Sequence, residues 1–154
     1  ERTALAVWQN GTELNVIDAD GRIIVPFTGG RSALLPLVIG AGADQQVKLL
    51  MAQMAAYPKI AQDVRAYARV GDRRWDLVLK NGVTLMLPEH GVSEALADIA
   101  GMEAKAGLLS RDIASVDLRL DDRVVVKLTP EAMVQRVEYL KARDKAPKRS
   151  EKRV

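Results

Sequence analysis

Between Arg73 and Pro88 the chain reads RRWDLVLKNGVTLMLP, and no other stretch limits the possible folds as strongly. Trp75, Leu77 and Leu79 alternate with Asp76, Val78 and Lys80, and beyond Asn81-Gly82 the apolar Val83, Leu85 and Leu87 alternate again. A period of two puts the apolar residues of both segments on one face of a sheet. Asn and Gly accept the positive φ of a tight two-residue turn, which fixes the register of the two strands. Pro88 has no N–H for a ladder and ends the pairing.

The same patterning predicts further strands at Thr3 to Gln9, Leu14 to Asp18 and Ile23 to Phe27, with turns at Asn10-Gly11 and Asp20-Gly21. A loop at Gly29-Gly30 leads to a buried strand from Leu34 to Ile39, which stops at Gly40-Ala41-Gly42. Val47, Leu50, Met51 and Met54 recur at three and four, so a helix is predicted from Asp44, its cap, to Tyr57, with Pro58 closing it. Val64 to Val70 reads as the strand before the hairpin. Leu96, Ile99, Met102 and Ala106 predict a helix over Ser93 to Leu108, capped by Ser93. Ser115 to Leu120 and Arg123 to Leu128 read as a closing strand pair. Thr129 caps a last helix, Pro130 takes its first position, and it runs to about Arg143. Strands outnumber helices and short turns join neighbours. The fold class is therefore α+β, a mostly antiparallel β-sheet with two to three helices packed on it.

At 154 residues, 48% apolar and 28% charged, the chain has enough material for one domain with its own core. It has no cysteine and one histidine, which removes thiol nucleophiles, disulfides and multi-histidine metal sites. No run approaches the roughly 20 apolar residues of a spanning helix. The chain opens at Glu1 within a strand pattern, as a piece excised from a longer protein would. From Lys141 to Val154 seven Lys or Arg face two acids, so that stretch carries +5 and the remainder −2. Residues 145–154 have almost nothing to bury and are expected to be a disordered basic tail.

Several motifs point to chemistry that the pattern does not complete. Asp18-Ala19-Asp20-Gly21 lacks the glycine and glutamate positions of a calcium loop and reads as a hairpin turn. Gly40-Ala41-Gly42 lacks a dinucleotide fingerprint or P-loop lysine, and reads as a strand-to-helix turn. His90 has no Ser, Cys or second carboxylate beside it and reads as an exposed loop residue. Trp8 and Trp75 are assigned to the core, and Met51 and Met54 to helix packing. No catalytic, cofactor-binding or metal-ligating set is predicted, and without an aromatic stacking platform the basic tail does not imply nucleic acid. What remains is VDLRLDDRVVVKL, Val116 to Leu128. At a sheet edge its free main-chain groups are a template for strand addition by another chain, and inside a sheet it is an ordinary paired strand.

The order Trp8-Gln9, Ile17-Asp18, Gly21, Leu35-Pro36-Leu37-Val38-Ile39-Gly40, Arg73-Arg74-Trp75-Asp76-Leu77, Asn81-Gly82, Leu87-Pro88, a helix, then Val116-Asp117-Leu118-Arg119 resembles the FtsQ/DivIB family of bacterial cell-division proteins. The LPLVIG variant and the basic C-terminal extension are similar to its alphaproteobacterial branch. The resemblance implies a single-pass inner-membrane protein enriched at the septum, with its transmembrane helix upstream of this periplasmic piece. It implies that residues 1–10 are the last strand of a POTRA domain, 11–130 a β domain, and 131–144 a C-terminal helix.

It also implies a non-enzymatic scaffold of the divisome. The scaffold would bind FtsB-like and FtsL-like partners through its last strands and an adjacent helix, with weak self-association as a further expectation. The positions that line up are Arg119, Leu120, Val124, Val125, Val126, Lys127 and Leu128. Leu120 and Leu128 stand where relatives can carry aromatics, so contacts there are expected to be aliphatic. A POTRA-associated domain for outer-membrane protein assembly or secretion is the alternative of another class.

Overall fold

The computed structural model describes residues 3–145. Its elements are β1 (Ala4–Asn10), β2 (Glu13–Asp18), β3 (Ile23–Pro26), β4 (Leu37–Ile39), α1 (Ala43–Met54), α2 (Pro58–Ala61), β5 (Val64–Val70), β6 (Arg74–Leu79), β7 (Thr84–Met86), α3 (Val92–Ala106), β8 (Ile113–Asp117), β9 (Val125–Leu128) and α4 (Pro130–Lys145). All nine strands join one sheet in the order β3-β2-β1-β4-β5-β6-β7-β8-β9. Five of the pairings are antiparallel; β1 with β4, β4 with β5 and β7 with β8 are parallel. The predicted α+β class, with a mostly antiparallel sheet, is what the chain adopts.

One face of the sheet is the core. Val38, Tyr67, Leu77, Leu85, Val116 and Val126 stand opposite one another across successive strands. Val38, Tyr67, Leu77, Leu85 and Val116 pack with Val47, Leu50 and Met54 of α1 and Leu96 and Ile99 of α3, as the helical spacing predicted. Leu77, Leu85, Leu96 and Ile99 are fully buried, each contributing up to ~1.5–3 kcal/mol by leaving water. Trp75 is buried among them, edge-on to Tyr67 at 6.5 Å. The row on the opposite face reads Ile39, Ala68, Asp76, Met86, Asp117 and Val125.

Several local expectations are corrected. β1 is not the remnant of a preceding domain: it pairs with both β2 and β4, and Ala6 and Val7 are buried, so no boundary falls at residue 10. Leu34 belongs to a 3₁₀ turn, Gly30–Leu34, and is 88% exposed, leaving only Leu37–Ile39 as strand. The caps of α1 and α3 are Gly42 and Gly91, both left-handed, not Asp44 and Ser93, which lie inside the helices. Asp44 instead places its charge in the first turn, against the positive end of the helix. α1 ends at Met54, and Pro58 starts the short α2 instead of closing α1.

The Asn81-Gly82 turn spans three residues, since Leu79 N–H donates to Val83 C=O at 2.8 Å and only Gly82 of the pair takes a positive φ, +93°. Thr129 caps α4 as predicted, its Oγ1 accepting the Ala132 N–H at 3.1 Å. The turn at Asp18 to Gly21 is also as predicted: Asp18 Oδ1 accepts the N–H groups of Asp20 and Arg22, each at 2.9 Å. Trp8 is half-buried beside the core and donates its indole N–H to Gly40 C=O at 2.8 Å. Lys145 ends α4, and the rest of the expected disordered tail lies outside the described residues.

Candidate partner-binding edge

Among the described residues β9 is the last strand of the sheet and pairs with β8 on one side only. Thr129 N–H donates inward to Asp112 C=O at 3.3 Å. In an antiparallel ladder alternate residues turn their main-chain groups to the same neighbour. Lys127 and Val125 therefore bond inward to β8, while Leu128 and Val126 present N–H and C=O outward. The extra residue of the β8/β9 pair lies on β8, between Ile113 and Ser115, so the alternation along β9 is unbroken.

Side chains alternate as well. Val126 and Leu128 continue the core face beyond Val116 and Ile113, whereas Val125 and Lys127 stand on the opposite face beyond Asp117 and Ser115. Val116 is fully buried while its neighbour Val126 is 38% exposed: the apolar row crosses the sheet and stops half-open at the rim. Val125 is 45% exposed, and Val124 and Leu128 are partly buried against the core.

The remaining predicted residues lie off the strand. Arg119 and Leu120 belong to the connection leaving β8, and Val124 immediately precedes β9. Leu118, Leu120, Val124 and Met102 line a groove of about 650 Å³ between that connection and α3, rimmed by Glu94 and Asp98. The structure thus gathers all seven predicted residues along one rim, four of them within the strand itself.

One residue of this region, Asp117, was not singled out as a site residue from sequence. Asp117 grips Arg119 by three hydrogen bonds: Oδ1 accepts Nε–H at 2.9 Å and the Arg119 main-chain N–H at 3.0 Å, and Oδ2 accepts Nη2–H at 2.7 Å. The Arg119 side chain holds the Asp117 carboxyl down at about 2, below its usual 3.8, and Arg74 adds to the effect. Arg74 is itself ion-paired with Asp76 on the same face. The signal available beforehand was the Asp-x-Arg spacing, which puts both side chains on one face of an extended segment, as it does for Arg74 and Asp76 within β6. α4, which follows β9, keeps Met133, Val134, Val137 and Tyr139 exposed.

The fold and its rim define an α+β domain built round one mixed sheet, with α1 and α3 packed on its core face and an apolar edge strand paired on one side. The chain belongs to the FtsQ/DivIB family: residues 6–119 match the family model described as Cell division protein FtsQ/DivIB, C-terminal. Its relatives are themselves cell division proteins. It is 46% identical to Cell division protein FtsQ of Bartonella bacilliformis over 136 residues, 88% of this chain and 44% of that protein. It is 43% identical over 152 residues to the FtsQ of Rhizobium radiobacter, 99% of this chain and 72% of that protein. The FtsQ of Agrobacterium fabrum gives 43% over 152 residues, 48% of its length. The chain thus spans about half the length of most of the relatives it matches. Among solved structures, the extracytoplasmic domain of DivIB from Geobacillus stearothermophilus matches with TM-score 0.45 and 12% identity, covering 72% of this chain and 98% of that one.

Proposed function

We propose that this chain is the periplasmic scaffold portion of an FtsQ-type protein. In the whole protein a POTRA domain and one transmembrane helix would precede it, holding it at the inner membrane of the division septum. It performs no catalysis. An FtsB-like or FtsL-like partner adds a strand along β9, taking the outward main-chain groups of Val126 and Leu128 as hydrogen-bond partners. The partner's alternate side chains then cover the half-open apolar row on the core face. Leu120, Val124 and Arg119 frame the end of that strand.

The observation that carries this reading is the row itself. Val38, Tyr67, Leu77, Leu85 and Val116 are each at most 4% exposed, and Val126 breaks the series at 38%. An edge strand that presents apolar side chains and free main-chain groups is open to pairing with another chain. It carries Lys127 as its one charge, on the opposite face.

The test is isothermal titration of the chain with a synthetic peptide covering the extracytoplasmic segment of the FtsB-like protein of the same organism. Saturable binding, with isotope-edited infrared or NMR evidence of a new antiparallel or parallel strand next to β9, is the expected result. Binding that leaves the β9 amide resonances unmoved would remove β9 from the interface.

A further inference from the structure

The hydrogen bonds at the end of β8 assign a role to a residue outside the predicted set. A guanidinium has two edges that can each grip a carboxylate through a pair of parallel N–H groups: the side edge, Nε and Nη2, and the end, Nη1 and Nη2. Asp117 occupies the side edge of Arg119, with Nε–H on Oδ1 and Nη2–H on Oδ2. Among the described residues the Arg119 side chain makes no further hydrogen bond, so its end pair is left over. That side chain is 46% exposed, against 16% for Asp117. Asp117 stands directly opposite Val125, the first residue of β9. The same Oδ1 also accepts the Arg119 main-chain N–H, tying the side-chain grip to the turn that leads the chain out of β8.

We propose that Asp117 is a positioning residue for partner binding: it fixes the Arg119 guanidinium beside the start of β9, so that its end-on N–H pair meets the incoming chain already oriented. The inference rests on the partner reading given above. A free arginine on a surface samples many rotamers and loses that freedom when it binds. Here the loss has already been taken in the folded domain, because the planar fork and its carboxylate admit few geometries. Arg74 and Asp76, on the same face, form a second ion pair next to this one and keep the patch neutral overall. What Asp117 supplies to the partner is therefore orientation, with little net field.

The decisive experiment is a double-mutant cycle on Asp117 and Arg119, read by titration with the FtsB-like extracytoplasmic peptide. Asp117→Asn keeps an oxygen for the main-chain turn but cannot grip both guanidinium nitrogens. It should weaken binding about three- to tenfold. In an Arg119→Ala background the same change should have no further effect, because Asp117 acts only through Arg119. A merely structural Asp117 would cost the same in both backgrounds, and that result overturns the inference. An undiminished affinity of Asp117→Asn overturns it too.

An NMR measurement needs no partner. The Arg119 Nε–Hε signal should be ordered in the wild type and mobile in Asp117→Asn, and equal mobility in both refutes the grip in solution. If the wild type binds no peptide at all, the function proposed above falls and takes this role with it. Binding with losses that merely add removes the role of Asp117 alone.

Discussion

Replacing Val126 with Pro separates the edge from the fold, because the N–H that proline removes points away from β8. Edge strands accept proline where the N–H faces solvent, and Val125 before it is already extended, as the residue preceding a proline prefers. The folded domain should lose no more than ~1 kcal/mol, a fall in Tm of roughly 2–4 °C at this size. An added strand meets a different situation. Its carbonyl would face a ring without a donor, an unsatisfied group costing ~1–3 kcal/mol, which is roughly 5- to 150-fold in Kd. Thermal unfolding followed by circular dichroism gives the first quantity, and titration with the FtsB-like peptide the second. If Tm collapses along with binding, the Val126 N–H belongs to the sheet and the outward assignment is wrong. If Tm and affinity are both unchanged, β9 is not where the partner adds.

Three further outcomes follow from the packing and the ion pairs. Leu85→Ala removes a fully buried side chain from the middle of the apolar row and should destabilise the domain by roughly 2–5 kcal/mol, measured by urea unfolding. Thr129→Ala deletes the oxygen that accepts the Ala132 N–H. It should lower the helix signal of the otherwise exposed α4 and cost ~1 kcal/mol there, with the sheet's Tm nearly unchanged. The Asp117 carboxyl, held at about 2 in the fold against 3.8 without it, stabilises the folded state above about pH 4. That contribution is lost as pH falls from there through 2. At most it is ~2.5 kcal/mol, and solvent at this open face reduces it to about 1 kcal/mol. The gap in urea midpoint between wild type and Asp117→Asn should therefore be smaller at pH 2.5 than at pH 6, and a constant gap would contradict the assignment.

Local pattern carried most of the elements. Period two marked the β5 to β7 region, and three-and-four spacing marked α1 and α3, because side-chain direction repeats along the chain whatever lies beside it. The helix caps were misread for an equally local reason. Asp44 and Ser93 fit the usual capping chemistry, but Gly42 and Gly91 turn into the left-handed region just before each helix, at φ of +79° and +77°, and so take the cap position. The candidate residues from Arg119 to Leu128 were legible as a segment, on an apolar run after a charged turn and on the family resemblance.

The sequence by itself therefore determined which segments would be strands and helices, which side of each would be apolar, and that a β-branched stretch near the C-terminus could serve as a template. Tertiary structure alone decided that β1 lies inside the sheet between β2 and β4, that three of the pairings are parallel, and that β9 has a free side. It also decided that Asp117 and Arg119 meet through two parallel hydrogen bonds. The physical reason is that periodicity fixes only the direction of a side chain relative to its own backbone. Which strand lies alongside, and which is left without a neighbour, depends on contacts between residues far apart in the chain, and those are settled when the whole sheet closes over one core.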